Sequence, residues 1–158
     1  MIIEKKKASK NQKKEPNNIC RFNNIWQNKK ILIADDDTTT LMLIKEILKQ
    51  TNIEIINAYN GEQAVKLYKQ NKDVSLVLLD YKMPFANGDI ATEKIKKIAV
   101  DIPVLIQTMD YDNCVKEKCK KAGCNEIIHK PFCKMDLLLL IEKWINKKVE
   151  NCDFKFVN

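Results

Sequence analysis

The sequence predicts an α/β fold: a doubly wound, five-stranded parallel sheet in the order 2-1-3-4-5, with helices on both faces. Two observations predict it. Five short apolar runs alternate strictly with five segments of helical periodicity, which is typical of parallel strands joined by crossover helices. The central run, residues 75–80, is almost uninterrupted, as expected for a strand that is buried on both faces of a sheet.

The five predicted strands are short runs of mainly aliphatic residues. In chain order they are residues 30–34, 53–58, 75–80, 103–108 and 126–129. Three acids at positions 35–37 follow the first run, Asp80 ends the third, and Thr108 ends the fourth. The fifth run ends at Lys130-Pro131. Four of the five strands therefore lead directly into a polar or charged side chain.

The five predicted helices carry apolar residues at helical spacing. In chain order they are residues 38–50, 62–72, 88–98, 112–122 and 135–145. Asp37 or Thr38 can cap the first helix, and Asn60-Gly61 is predicted as a turn before the second. The fourth is polar and poorly patterned, with Gly123 as its C-cap, whereas the last is strongly apolar on one side.

This flavodoxin-like order places the carboxyl ends of strands one, three, four and five along one edge of the sheet, where open α/β sheets build their sites. Those ends carry Asp35 with Asp36, Asp80, Thr108 and Lys130. Taken singly, each has an ordinary structural explanation, such as a helix cap, a strand end or a turn hydroxyl. Chance rarely sets all of them at matched strand ends, so we interpret them as one site.

Composition bounds the class of protein. With 158 residues, 45% hydrophobic and 31% charged, the chain fits one soluble domain with a sizeable core. No apolar run is long enough to cross a membrane, and no apolar stretch follows the basic N-terminus as in a secretory signal. Six cysteines without a C-x-x-C pair and a single histidine argue against zinc and favour reduced thiols, which predicts a cytoplasmic location.

The charge is concentrated at one end. Residues 1–30 contain nine Lys or Arg and two Glu, which accounts for the whole net charge of +7. We predict a basic disordered or linker extension over residues 1–28, a folded domain over 29–147 and a C-terminal tail over 148–158. The extension is interpreted as a solvated tail in preference to a nucleic-acid or lipid contact. An apolar cluster at residues 19–26 either packs on the domain or belongs to the linker.

The strand-end residues suit phosphoryl chemistry. Clustered carboxylates repel one another unless a cation joins them, and oxygen-only ligands favour Mg²⁺. A magnesium ion, the ammonium of Lys130 and the hydroxyl of Thr108 around one carboxylate would bind the oxygens of a phosphoryl group. A carboxylate can also accept that group covalently as an aspartyl phosphate. Asp80, at the centre of the edge, is the predicted nucleophile.

A specific set of motifs now points to a family. They are the acidic pair in Ile33-Ala34-Asp35-Asp36, the run Leu78-Leu79-Asp80-Tyr81-Lys82-Met83-Pro84 with Gly88, residues 103–108, and Ala122-Gly123 ahead of Lys130-Pro131-Phe132. On these residues the chain resembles a response-regulator receiver domain over residues 29–147. Residues 91–95, Glu117-Lys118-Cys119 and Trp26 ahead of the first strand are similar to the receiver modules of hybrid sensor histidine kinases.

The resemblance implies a role for each matching residue. Asp80 would accept a phosphoryl group from a phosphohistidine on a histidine kinase or a histidine phosphotransfer protein. Asp35 and Asp36 would hold Mg²⁺ directly or through water, with the backbone carbonyl of Lys82 as a further ligand. Thr108 would hydrogen-bond the attached phosphoryl group and Lys130 would pair with it.

The resemblance also implies a signalling module that is not a stand-alone enzyme. The face formed by the fourth helix, fifth strand and fifth helix would change shape on phosphorylation and could bind an output protein. We expect no kinase ahead of the domain and no DNA-binding domain after it.

Three positions depart from the family pattern. Ile127 stands where an aromatic switch residue is usual, Met109 follows Thr108 where a small residue is usual, and Asn87 replaces an acid before Gly88. A pseudo-receiver that docks partners without phosphorylation therefore stays open as an alternative. A magnesium-dependent phosphohydrolase is disfavoured, because its second carboxylate would stand two residues past the nucleophile, where this chain has Lys82.

Overall fold

A five-stranded parallel sheet runs through the centre of the computed structural model, which describes residues 18–147. The strands are β1 (Lys30–Ala34), β2 (Glu54–Ala58), β3 (Leu76–Asp80), β4 (Val104–Thr108) and β5 (Glu126–His129). Their order is β2-β1-β3-β4-β5, and every pair is parallel. The predicted fold class and strand order are confirmed. The predicted tail, residues 148–158, and most of the predicted extension, residues 1–17, lie outside the described residues.

Strand register brings the predicted site residues to one edge. Ala34 of β1 lies opposite Leu79 of β3, so that the next residue on each strand, Asp35 and Asp80, lies at the same level. Asp80 in turn lies opposite Gln107 of β4. The sheet therefore fixes the spacing of the acidic side chains through its backbone hydrogen bonds.

Five helices cover the two faces of the sheet. They are α1 (Thr38–Leu48), α2 (Gly61–Gln70), α3 (Gly88–Ile98), α4 (Asn113–Ala122) and α5 (Lys134–Ile145), with short 3-10 helices at Asn18–Phe22 and Lys49–Thr51. Apolar residues of α1 and α5 pack on one face, those of α2 and α3 on the other, and α4 covers a smaller cluster next to α3. Within residues 18–147, no helix combines the length and apolar character that a membrane span requires.

The segment Asn60-Gly61 begins a helix, and its prediction as a separate turn is wrong. The side chain of Asn60 caps α2 by accepting a hydrogen bond from the Gln63 backbone N–H at 2.8 Å. Gly61 is the first helical residue, and a Cβ added there would lie 2.2 Å from the Ala86 carbonyl oxygen. The glycine is thus required by close packing of the chain after β3, which leaves no room for a side chain.

The apolar cluster before β1 packs into the domain. Phe22 and Trp26 are almost completely buried in the core that α1 and α5 share, and their rings meet edge to face with centroids 6.0 Å apart. The backbone N–H of Trp26 donates to the Thr51 carbonyl at 3.1 Å. Phe22 and Trp26 therefore pack on the domain, whereas Ile25 is 41% exposed.

Candidate functional site

A cavity of about 450 Å³ opens at the carboxyl edge of the sheet. Its lining includes every residue predicted to bind the metal ion or the phosphoryl group, namely Asp35, Asp36, Asp80, Lys82, Thr108 and Lys130. The last residues of β3 and β4 and the loops after β1, β3 and β5 supply them, because parallel strands deliver their carboxyl ends to the same side. The structure thus brings the predicted site residues together.

The ammonium of Lys130 joins two carboxylates. Its Nζ lies 2.6 Å from Oδ1 of Asp80 and 2.8 Å from Oδ2 of Asp35. All three side chains are largely buried, with exposed fractions of 17% for Lys130, 11% for Asp80 and 2% for Asp35. Burying two carboxylates side by side without a cation would be costly, so Lys130 holds this part of the site together.

Asp35 is held in place from three directions. In addition to Lys130, the amide Nε2 of Gln107 donates to Oδ2 of Asp35 at 2.7 Å, and the Asp37 backbone N–H donates to Oδ1 at 2.9 Å. Gln107 is completely buried on β4. This role was not predicted from the sequence. The available signal was a single amide side chain in a largely apolar strand, since a buried amide needs a hydrogen-bond partner.

Burial and hydrogen bonding act in opposite directions on the two central groups. Burial raises the pKa of Asp80 above its usual value, and the charge of Asp35 adds to this effect, while the hydrogen bond and the charge of Lys130 oppose it without cancelling it. Burial alone would lower the pKa of Lys130, but its hydrogen bonds to Asp35 and Asp80 outweigh burial and leave the pKa raised. Lys130 is therefore charged at neutral pH.

Thr108 ends β4 and lines the cavity. Its Oγ accepts a hydrogen bond from the Asp110 backbone N–H at 3.0 Å, which leaves the hydroxyl hydrogen available to donate. The carboxylate of Asp110 lies 3.5 Å from the ammonium of Lys82, and both residues line the same cavity. This ion pair joins the loops that follow β3 and β4.

The three acids after β1 have three different environments. Asp35 is buried, Asp36 is exposed on the cavity wall, and Asp37 is the N-cap of α1. The side chain of Asp37 accepts hydrogen bonds from the backbone N–H groups of Thr39 and Thr40 at 2.9 and 3.3 Å. The prediction that Asp37 can cap α1 is confirmed. Capping explains the presence of this one acid and not of Asp35 or Asp36.

The donor chemistry of the cavity fits a hard divalent cation. Carboxylate oxygens of Asp36 and Asp80 share one cavity with Lys82, and oxygen ligands of this kind suit Mg²⁺. Among residues 18–147, no three acidic, cysteine or histidine side chains converge closely enough to form a complete ligand set. Backbone carbonyl and water ligands would therefore have to complete the coordination, as is usual for Mg²⁺.

The three positions that depart from the family pattern lie in different places, and Asn87 and Ile127 are not among the residues that line the cavity. Met109 lines the cavity, but its side chain is 76% exposed and lies at the rim. Ile127 is half-buried against the small cluster under α4. His129 does not line the cavity, and its ring stacks on that of Tyr111 with centroids 4.1 Å apart.

Comparison with known proteins gives a consistent result. The model of the response regulator receiver domain family matches residues 31–142. The chemotaxis protein CheY of Bacillus subtilis is 33% identical over 118 residues, which cover 74% of this chain and 98% of CheY. The hybrid signal transduction histidine kinase I of Dictyostelium discoideum is 31% identical over 77% of this chain. That match covers 7% of the kinase, and this chain spans between 5% and 16% of four further sensor kinases that it matches.

A solved structure agrees with this result. A chain in the CheX-CheY-BeF3-Mg²⁺ complex from Borrelia burgdorferi superposes with a TM-score of 0.70 and 25% identity, covering 75% of this chain and 90% of that chain. The similarity therefore extends over nearly the whole of that chain, as it does for the Bacillus CheY.

Proposed function

The chain belongs to the response regulator receiver family, and from this premise we propose that it is a phosphoacceptor in a two-component or phosphorelay system. Asp80 accepts the phosphoryl group, and a phosphohistidine on a partner protein donates it. One observation carries the proposal: the Lys130 ammonium bridges Asp35 and Asp80 in a cavity that Thr108 also lines. A phosphoryl group on Asp80 would meet a cation and a hydroxyl donor there.

The proposed transfer is a single displacement at phosphorus. A carboxylate oxygen of Asp80 attacks phosphorus, and an O–P bond forms as the P–N bond to the imidazole breaks. The electron pair of that bond returns to the imidazole nitrogen, which takes a proton from solvent. Lys130 then pairs with the phosphoryl oxygens, and the Thr108 hydroxyl donates a hydrogen bond to one of them.

We assign the Mg²⁺ ligands of this proposal to Asp36, Asp80 and the backbone carbonyl of Lys82, with Asp35 binding directly or through water. The ion would neutralise charge on the phosphoryl oxygens. The CheX-CheY-BeF3-Mg²⁺ complex from Borrelia burgdorferi contains Mg²⁺, which supports this cofactor.

The proposed partners follow from the donor chemistry. A phosphohistidine is carried by a histidine kinase or a histidine phosphotransfer protein, and an output protein would bind the face formed by α4, β5 and α5. As a receiver, the chain would assist its own phosphorylation and dephosphorylation and would not act as a stand-alone enzyme. A cytoplasmic location belongs to the same proposal, and the five cysteines within residues 18–147, all free thiols, are compatible with it.

The experiment that tests the proposal is intact mass spectrometry after incubation with acetyl phosphate and Mg²⁺. Wild type is expected to gain one phosphoryl group, and Asp80→Asn none. Asp110→Asn is the matched control, because it removes another carboxylate from the same cavity without touching Lys130. It is expected to be phosphorylated like wild type.

The outcomes separate the alternatives. Labelling that persists in Asp80→Asn would overturn the assignment of the acceptor. No labelling of wild type, in a sample that binds Mg²⁺, would favour the pseudo-receiver that docks partners without phosphorylation. Continuous release of phosphate from a phosphomonoester would instead indicate a phosphohydrolase.

A further inference from the structure

Two buried cysteines lie together at the end of α4. Cys119 is in the last turn of the helix, and Cys124 follows the left-handed Gly123, whose φ is 91°. The Cys124 backbone N–H donates to the Cys119 carbonyl at 3.1 Å, which closes the helix end and brings the two side chains to the same spot. Both residues are buried, with exposed fractions of 0% and 4%.

The two side chains belong to the same small buried cluster. The backbone hydrogen bond from Cys124 to Cys119 is the one that closes a Schellman-type helix end, where the flanking side chains pack on each other. The interaction between the two thiols lowers the pKa of Cys119 and raises that of Cys124. Cys119 is therefore assigned as the better thiolate and Cys124 as the thiol that remains protonated.

A fixed cation lies beside the pair. The ammonium of Lys96 on α3 donates hydrogen bonds to the Ile102 carbonyl at 2.7 Å, the Asn125 Oδ1 at 3.0 Å and the Val100 carbonyl at 3.1 Å. Its stem passes over Gly123, where the site of an added Cβ would lie 3.5 Å from the Lys96 Cγ. The Lys96 charge also acts on Cys124 and lowers the thiol pKa, opposing the effect of burial.

The helix that carries Cys119 is held by little apolar contact. Val115 and Cys119 are the buried residues of α4, and they pack with Tyr81, Ile106 and Cys124 in the smallest of the three clusters. Elements with few buried apolar contacts open locally at low free-energy cost. Local opening of α4 would expose these thiols to a small neutral oxidant while the sheet stays intact.

We propose that Cys119 and Cys124 form a peroxide-sensitive dithiol that closes to a disulfide across the end of α4. The Cys119 thiolate attacks one peroxide oxygen, the O–O bond breaks, and the released hydroxide leaves as water after taking up a proton. The resulting sulfenic acid is attacked by Cys124, and a second water leaves as the S–S bond forms. Both sulfurs are oxidised and both peroxide oxygens are reduced.

The test uses a full-length variant in which the other four cysteines, Cys20, Cys114, Cys133 and Cys152, are replaced by serine. After exposure to hydrogen peroxide, the protein is denatured, alkylated with N-ethylmaleimide and weighed intact. We expect the oxidised protein to lose both alkyl additions and to be lighter by two hydrogen atoms. Treatment with dithiothreitol before alkylation is expected to restore both additions.

Two variants on this background check the assigned roles. Cys124→Ser is expected to form no disulfide and to accumulate a sulfenic acid at Cys119 that dimedone traps. Lys96→Met keeps the stem over Gly123 and removes the charge, and is expected to form the disulfide several-fold more slowly. A circular dichroism spectrum shows that each variant is folded.

Three results would overturn the proposal. These are full alkylation of both thiols after peroxide, over-oxidation of one thiol with the other left free, or a disulfide rate that Lys96→Met leaves unchanged. In the first case the two cysteines are only the apolar contact that closes a helix end. Because the readout is independent of Asp80, failure of this test and failure of phosphorylation are separate results.

Discussion

At the scale of single residues, the site is organised by one cation shared between two buried acids. Lys130 holds Asp35 and Asp80 together, while Asp36 remains exposed on the cavity wall. The three acids therefore differ in how freely they can bind a metal ion. Asp35 accepts a hydrogen bond from Gln107 and Asp37 caps α1, so Asp36 contributes least to the structure of the three acids.

This difference predicts that Asp36→Ala weakens Mg²⁺ binding with little effect on folding. Loss of a charged oxygen ligand should raise the Kd by about tenfold or more, as for other changes around a metal site. Isothermal titration calorimetry measures the change. Asp37→Ser is the matched control, because serine also caps helices and the variant loses one neighbouring negative charge. Equal Mg²⁺ affinity in wild type and Asp36→Ala would remove Asp36 from the ligand set.

Met109 gives a second prediction at this scale. Its side chain lines the cavity and is 76% exposed, so truncation widens the mouth without opening the core. We expect Met109→Ala to be phosphorylated faster than wild type by acetyl phosphate, with an unchanged melting temperature. The rate is followed by intact mass. A rate equal to or below that of wild type would show that Met109 does not restrict access.

The sequence predicted which residues meet at the cavity, because a parallel sheet brings the carboxyl ends of its strands to one edge. It did not predict which atoms bond. The contact between Gln107 and Asp35 joins residues 72 positions apart on strands that are not neighbours. No periodic pattern in one strand contains that information, although a buried amide in an apolar run signals that a partner exists.

At the scale of elements, sequence patterns predicted the positions of strands and helices well. They were less reliable at distinguishing turns from helix starts. The bounds of β1, β5 and α3 agree with those predicted. The prediction of a turn at Asn60-Gly61 was wrong because the same two residues also suit the start of a helix. The Asn60 cap on the Gln63 backbone N–H and the close packing of Gly61 against the Ala86 carbonyl distinguish them, and the second of these contacts is tertiary.

The segment before β1 is the element whose role the sequence left open. Trp26 is 2% exposed and packs in the core with Phe22, so we predict that Trp26→Ala lowers the free energy of unfolding by about 3–5 kcal/mol. Urea unfolding followed by far-UV circular dichroism measures the loss. Ile25→Ala is the matched control, because Ile25 is 41% exposed, and its expected change is within about 0.5 kcal/mol. Similar losses in both variants would mean that Trp26 is not part of the core.

At the scale of the whole molecule, the two central ionisable groups of the site change the stability of the fold in opposite directions. Burial raises the pKa of Asp80, so the carboxylate is less favourable in the folded protein than in the unfolded chain. This cost is present at neutral pH and disappears as pH falls below the unfolded value of 3.8. Lys130 acts in the opposite sense, since its pKa is raised: its stabilising contribution is complete below 10.5 and is lost as pH rises through the higher folded pKa.

These opposite effects predict that Asp80→Asn is more stable than wild type at pH 7 in EDTA. The difference should shrink as pH falls toward 3.8, because wild type then gains a neutral Asp80 as well. Asp110→Asn is the control: hydrogen bonding from the Asp112 N–H lowers the Asp110 pKa, so removing that charge should not stabilise the protein. Urea midpoints at several pH values measure both. A difference that does not depend on pH would show that Asp80 ionisation is not its cause.

Mg²⁺ should then reverse the order of stability of wild type and Asp80→Asn. An ion that binds only the folded state stabilises it by about 2.7 kcal/mol at a hundred times its Kd. Wild type offers the Asp80 carboxylate to that ion, whereas Asp80→Asn offers a neutral amide, so the midpoint of wild type should rise more. If Mg²⁺ raised both midpoints equally, the ion would be bound without Asp80, and the destabilising carboxylate would need another explanation.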